Sequence, residues 1–187
     1  MSSGKWWPER AHLPEHQKMM LEMFEAELVH FINPFAITLT FKSGLRLYRK
    51  DGVGRVYTGE YVRIDRDQAA KTLRRFRSRL ARKCLTRSAI RDGQQVPMIA
   101  VLEQSADGRP HYHLAADMPG LDLAATKQLI SDLWEREPFA YREIDVQSVY
   151  GDGWLGYMLK SVCPTADRFF FGIDWENSSI LEAQRAA

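Results

Sequence analysis

The chain has 187 residues, enough for one domain with a substantial hydrophobic core, and its 45% hydrophobic and 27% charged residues are typical of a globular protein. The formal net charge of +2 does not by itself indicate a nucleic-acid-binding protein. No apolar run suits a membrane span or a signal peptide, and Cys84 and Cys163 lack metal-ligand spacing, so we expect a reduced, cytoplasmic protein.

The first secondary-structure element predicted is a helix from Pro14 to Ile32, which the sequence Asn33-Pro34 ends. The next is a central strand from Phe35 to Lys42, rich in β-branched and aromatic residues. Alternation along this strand separates its large apolar side chains from Thr38 and Thr40. We expect the threonine face to be the one that bears the functional site.

Residues 44–64 are predicted to form a β-hairpin around Asp51-Gly52 and Gly54. Two interpretations are equally open. The hairpin can be a nucleic-acid-binding arm, with cations for phosphates and tyrosines for stacking, or an ordinary exposed ribbon. The residues that favour an arm are Arg46, Tyr48, Arg49, Lys50 and Arg55.

The positive charge of the chain is concentrated in one predicted helix. From Arg63 to Arg91 there are eleven Lys or Arg residues and two Asp, a net +9. Asp65 or Asp67 can cap this helix, whose apolar stripe faces a core. A solvated surface helix usually mixes signs, and this one has almost no acids, so we favour phosphate contact. The apolar stripe comprises Ala69, Leu73, Phe76, Leu80 and Cys84, and the predicted phosphate contacts are Arg74, Arg75, Arg77, Arg82 and Lys83.

The stretch from Pro97 to Met118 is predicted to be a hairpin that gathers potential metal ligands. His111 and His113 share a strand face about 7 Å apart, close enough for both rings to hold one ion. Glu103 faces His111 only if the connecting loop has an odd number of residues. We expect the three-residue loop 106–108 with Gly108 left-handed, or a five-residue loop in the same register. Either loop gives a His-His-Glu metal site.

Asp122 is predicted to cap a helix from Leu123 to Arg136, followed by a strand from Tyr141 to Tyr150. Residues 153–162 are predicted to form a short helix with an apolar stripe and Trp154 at its margin. Tyr157 and Lys160 lie together away from that stripe. A tyrosine used for packing would be on the stripe, so this one is a candidate functional residue.

These motifs, in this order, resemble the HUH endonuclease superfamily. The resemblance covers residues 35–162: a hydrophobic strand, Glu103 eight residues before His111-x-His113, then Tyr157-x-x-Lys160 on a helix. The chain looks most like the rolling-circle replication initiators, or Rep proteins, of plasmids, phages and small single-stranded DNA genomes. Relaxases of the same superfamily carry their tyrosine ahead of the histidines, and this order argues against that branch.

The resemblance implies metal-dependent nicking and joining of single-stranded or hairpin DNA at an origin, through a 5′-phosphotyrosyl intermediate. Tyr157 would be the nucleophile, Lys160 a cation beside it, and Mn²⁺ or Mg²⁺ the bound ion, although the ligands also suit Zn²⁺ or Ni²⁺. Contacts to DNA are expected from the basic helix, from Thr38 and Thr40, and from Arg49 and Lys50. No Walker motif occurs in the sequence, so a helicase and a polymerase would come from the host.

Other functions stay open. A transposase or mobile-element nuclease of the same superfamily would differ in target, acting on an element end rather than an origin. A non-catalytic DNA-binding module or repressor would bind DNA without forming an adduct. A metallohydrolase that uses water would keep its activity without Tyr157.

The predicted fold class is α+β, a mainly antiparallel sheet of about five strands with helices on one face and the other face open. The resemblance implies the same ferredoxin-like sheet. We divide the chain into an N-terminal extension and helix (1–34), an endonuclease domain (35–180) and a flexible tail (181–187).

Overall fold

The computed structural model describes residues 13–104, 108–149, 153–160 and 172–179. The helices in these ranges are α1 (Glu15–Leu28), α2 (Arg66–Cys84), α3 (Arg87–Arg91), α4 (Leu123–Trp134) and α5 (Gly153–Leu159). The strands are β1 (Pro34–Phe41), β2 (Gly44–Asp51), β3 (Gly54–Arg63), β4 (Met98–Gln104), β5 (Pro110–Asp117) and β6 (Ala140–Ser148). None of the helices in these ranges is long and apolar enough to cross a bilayer.

The main sheet is antiparallel with the strand order β4-β5-β1-β6, which confirms the α+β class. Within the described ranges it has four strands rather than five, because β2 and β3 form a separate two-stranded ribbon. Ile173 bridges to Val101 on the outer edge of β4, which is where a fifth strand would lie. The predicted packing of the C-terminal segment onto the domain is confirmed for residues 172–179.

One face of the sheet is the main hydrophobic core. The apolar face of β1 packs there against α2 and α4, through residues such as Leu39, Phe76 and Trp134. The rings of Phe41, Phe76 and Trp134 meet edge to face, an arrangement that aromatic side chains prefer. This face supplies most of the burial that holds the sheet together.

The other face is partly covered, whereas the sequence predicts an open one. Ile99, Val101 and Ala115 form a second core there with residues of α1 and α5. The sequence pattern missed this layer because strand residues of moderate size, such as Ala115, do not reveal which helix covers them. The part of this face left uncovered is the end that carries His111.

Two of the predicted helix starts are confirmed by their caps. Asp65 and Gln68 form a reciprocal capping box at the start of α2, and the Asp122 carboxylate accepts a hydrogen bond from the Ala125 amide at the start of α4. The first predicted helix ends at Leu28, four residues earlier than expected. The short helix α3 was not predicted.

A candidate metal and nucleophile site

The register of the β4–β5 hairpin brings the predicted ligands together. Glu103 is paired directly with His111, and Val101 with His113. The ladder ends at the Gln104–Pro110 pair, so the connection comprises residues 105–109, and Gly108 has the left-handed φ of 79°. The three-residue loop was therefore wrong, and the five-residue alternative in the same register is confirmed.

Three ligand atoms converge at this end of the hairpin. The Glu103 Oε2 atom lies 2.9 Å from His113 Nε2 and 3.6 Å from His111 Nε2, and the two Nε2 atoms are 3.1 Å apart. All three residues are buried or nearly so. Together they form a group that could hold one metal ion.

The remaining ring nitrogens of both histidines meet oxygen atoms. His113 Nδ1 lies 3.1 Å from the hydroxyl of Thr38, and His111 Nδ1 lies 3.4 Å from the carbonyl oxygen of Arg109. If each Nδ1 carries the hydrogen and donates it there, each Nε2 keeps a free lone pair directed at the other ligands. Histidines that bind metals are usually oriented in this way.

The spacing of these atoms fits a single divalent ion. Atoms bound at about 2.1 Å lie about 3.0 Å apart at right angles and about 3.4 Å apart in a tetrahedron. The three measured separations, 2.9, 3.1 and 3.6 Å, bracket these values. Two neutral imidazoles and a carboxylate leave further coordination positions open, so the donor set suits a catalytic metal rather than a closed structural one.

Burial lowers the pKa of His113, and the nearby His111 and Lys160 lower it further, while the hydrogen bond and charge of Glu103 act in the opposite direction. The net effect keeps His113 neutral, which is the form that binds a metal. The hydrogen bond to Thr38 therefore joins a ring that is already in the required protonation state.

Helix α5 places a tyrosine and a lysine against this site. The rings of Tyr157 and His113 are 5.0 Å apart at an interplanar angle of 74°. Lys160 Nζ lies 3.4 Å from the centre of the Tyr157 ring and 3.5 Å from Glu103 Oε2. The predicted apolar stripe is buried, and Tyr157 is only half-buried. Val162, predicted on that stripe, lies outside the described residues.

Trp154 is a component of the site that the sequence placed only at the edge of a helix. Its ring stacks on Tyr157 at 5.3 Å and 19°, and it meets His113 edge-on at 5.4 Å. Its indole N–H donates a hydrogen bond to the carbonyl oxygen of Leu114 at 3.0 Å. The tyrosine is thus held between an anchored indole and a lysine.

Comparison with protein families gives a match over residues 34–164, which is more than two thirds of the chain. The matching model is that of the replication-associated protein ORF2. The chain belongs to this replication-associated protein family. Members of the family are initiators of rolling-circle replication. No curated protein and no solved structure gives a significant match.

The basic helix of this replication-associated protein lies on the sheet face opposite the candidate site, because α2 packs in the main core while Glu103 and the histidines lie on the other face. Several of its arginines also have acidic partners far away in sequence. Arg75 and Arg79 both contact the buried carboxylate of Glu137, and Arg74 pairs with Glu176. The local sequence could not reveal these partners.

Arg77 corrects one of the predicted DNA contacts. It is buried, with its guanidinium donating to the carbonyl oxygen of Val96 and to the hydroxyl of Ser179. A side chain with these internal bonds is not presented to a phosphate backbone. Arg77 instead ties α2 to the C-terminal segment.

The other predicted DNA contacts divide by location. Arg82 and Lys83 are exposed near the end of α2, and Arg49 and Lys50 are exposed on the ribbon. Thr38 lies on the site face as predicted, with its hydroxyl directed at His113, and Thr40 is buried opposite His111. Contact of any of these residues with DNA stays a prediction.

Proposed function

We propose that this replication-associated protein nicks and rejoins single-stranded DNA with a bound divalent metal and a phosphotyrosine intermediate, and thereby initiates rolling-circle replication. The observation that carries the proposal is the position of Tyr157, whose ring is 5.0 Å from that of a metal-ligand candidate, His113. The two residues lie on different elements, so their meeting is a property of the fold. Membership of an initiator family supports the same function.

In the proposed reaction the phenol oxygen of Tyr157 attacks the phosphorus of the scissile phosphodiester. The bond between phosphorus and the 3′ oxygen breaks, a 5′-phosphotyrosyl ester forms, and the 3′ oxygen takes up a proton as the phenol loses one. The attack of a 3′-OH on the ester reverses the exchange and rejoins the strand. A phenol is a weak nucleophile at neutral pH, so this step needs nearby positive charge.

Lys160 is placed to supply part of that charge. Its ammonium group lies over the Tyr157 ring and near the Glu103 carboxylate, about one-third exposed. It can therefore face both the phenolate and an incoming phosphate. Glu103, His111 and His113 would hold the ion, preferably Mn²⁺ or Mg²⁺, which when bound polarises a non-bridging phosphate oxygen.

The substrate in this proposal is single-stranded DNA or DNA extruded as a hairpin at an origin. A phosphodiester must reach between α5 and the β5 end of the sheet, and a continuous duplex cannot present its backbone in this way. Helicase and polymerase activities that extend the nicked strand would be supplied by the host.

The test is to incubate the protein with single-stranded oligonucleotides from its own genetic neighbourhood, with Mn²⁺ or with a chelator. Denaturing gels and mass spectrometry then detect a covalent adduct. We expect a metal-dependent adduct on the peptide containing Tyr157 and none with Tyr157→Phe. The matched control is Tyr141→Phe, an exposed tyrosine on β6.

The alternatives give different results in the same assay. Cleavage that survives Tyr157→Phe would indicate a hydrolase that uses water. DNA binding without an adduct on a panel containing the true origin would indicate a non-catalytic module. Adducts formed with the ends of a mobile element, and not with an origin, would indicate a transposase.

A further inference from the structure

The β2–β3 ribbon has one face made of tyrosines and cations. Directly paired residues share a face, and the pairs Arg46–Tyr61, Tyr48–Tyr57 and Lys50–Arg55 follow one another along the ribbon at even spacing on both strands. We call this set the tyrosine face. It consists of Arg46, Tyr48, Lys50, Arg55, Tyr57 and Tyr61.

The tyrosine face is turned to solvent. Tyr48, Tyr57 and Tyr61 are 54%, 45% and 50% exposed, which is high for rings of this size. The opposite face carries Leu45 and Val62, which are partly buried. The ribbon therefore turns its aliphatic side inward and its aromatic side outward.

The rings on this face are held apart rather than closed on one another. Tyr48 and Tyr57 have centroids 5.7 Å apart at an interplanar angle of 52°, so neither ring covers the face of the other. The Arg46 guanidinium lies 5.9 Å from the centre of the Tyr57 ring. Exposed aromatic faces beside cations are the features with which proteins bind single-stranded nucleic acid without strict sequence preference.

The charge of the ribbon complements a phosphate backbone. Residues 44–63 contain five Lys or Arg and two acids, a net +3, whereas the whole chain has only +2. One of the acids, Asp51, directs its carboxylate into the turn, where it accepts hydrogen bonds from the amides of Val53 and Gly54. The basic side chains of the tyrosine face are all exposed.

The ribbon begins close to the candidate site. Thr40 is paired with His111, and the ribbon starts four residues later at Gly44. Its base is closed by the Ile64 amide bonding to the Ser43 carbonyl, and the Lys42 amide bonds to Phe139. Eight-residue strands extend about 27 Å. A strand bound at the site can therefore continue along the ribbon.

We propose that the tyrosine face binds unpaired nucleotides flanking the position at which the strand is cut, with bases stacked on the tyrosines and phosphates beside the cations. This rests on the proposed function for its choice of DNA. The binding itself needs no metal and no reaction at Tyr157, so the two can be tested separately.

The experiment measures fluorescence anisotropy of a labelled oligo-dT in chelator, with full-length protein carrying Tyr157→Phe. The double variant Tyr48→Ser/Tyr57→Ser is compared with Tyr48→Phe/Tyr57→Phe, which keeps both rings. Val56→Ser, an exposed position on the opposite face of the ribbon, is the matched control. Circular dichroism and thermal unfolding establish that each variant is folded.

We expect Kd to rise by about 5-fold to 150-fold for each base that loses its stacking partner in the serine variant. The phenylalanine variant and Val56→Ser should stay within about twofold of the parent. A second probe, an oligonucleotide containing 5-iodouracil, should crosslink under light to peptides containing Tyr48, Tyr57 or Tyr61. In a further variant, Lys50→Gln/Arg55→Gln, the dependence of log K on log salt should fall by about 0.7 per lost phosphate contact.

Several outcomes would overturn the inference: equal losses in the serine and phenylalanine variants, a loss as large in Val56→Ser, or crosslinks confined to other peptides. Equal losses for a 20-base-pair duplex would show a duplex contact instead. If no adduct forms at Tyr157 in the parent chain with Mn²⁺ while the ring dependence persists, the proposed function fails and the ribbon inference stands. An adduct without ring dependence would support the proposed function and overturn the ribbon inference.

Discussion

Replacing Thr38 by valine should weaken metal binding without moving a ligand. Thr38 Oγ1 lies 3.1 Å from His113 Nδ1, and His113 is 3% exposed, so water cannot easily replace the lost partner. Valine has nearly the same shape but leaves the Nδ1–H of a metal-binding tautomer without an acceptor. The cost of such a change is typically 10-fold to 100-fold in metal affinity, or about 1.4–2.8 kcal/mol.

Isothermal titration with Mn²⁺ measures this effect directly and does not depend on catalysis. Thr38→Ser keeps the hydroxyl and should bind Mn²⁺ within about threefold of the parent. Thr40→Val, the next residue on the same strand face, is the positional control and should have a smaller effect than Thr38→Val. Equal Mn²⁺ affinity in Thr38→Val and the parent would refute the assigned tautomer and orientation of His113.

Three further predictions concern neighbouring contacts. Trp154→Phe should slow adduct formation at least about tenfold with unchanged Mn²⁺ affinity in titration, because Tyr157 loses its anchored stacking partner. Tyr112→Phe should lower the free energy of unfolding by about 2 kcal/mol in urea titration, because the buried carboxylate of Asp174 loses a 2.6 Å hydrogen bond. Glu137→Gln should cost about 1–3 kcal/mol in the same assay, reduced by the partial exposure of its two arginine partners, and high salt should narrow the difference.

Much of the site could be predicted from the sequence because it lies on short-range features. His111 and His113 are two residues apart on one strand, and Glu103 reaches them across one hairpin, so alternation and loop parity were enough. Tyr157 and Lys160 are one helical turn apart and lie off the apolar stripe. In each case the spacing along the chain fixes the relative direction of the side chains.

The contacts that the sequence did not reveal join residues far apart in the chain. Glu137 neutralises arginines about 60 positions away, and Arg77 reaches Ser179 across 102 positions. The face of α2 that seemed free of acids is therefore partly paired through tertiary structure. A pattern within one helix predicts which side chains share a face, but not what lies opposite that face.

The same long-range packing determines where the nucleophile candidate stands. Helix α5 has seven residues, too few to be stable alone, and its buried side is completed by Met20 and Phe24 of α1. The Gln17 side chain also donates to the Leu159 carbonyl at the end of α5. Because α1 covers α5 and α5 carries Tyr157, the N-terminal helix belongs to the architecture of the site although it precedes every catalytic motif. The residues assigned from sequence to an N-terminal extension therefore contribute, through packing alone, to the geometry on which the proposed reaction depends.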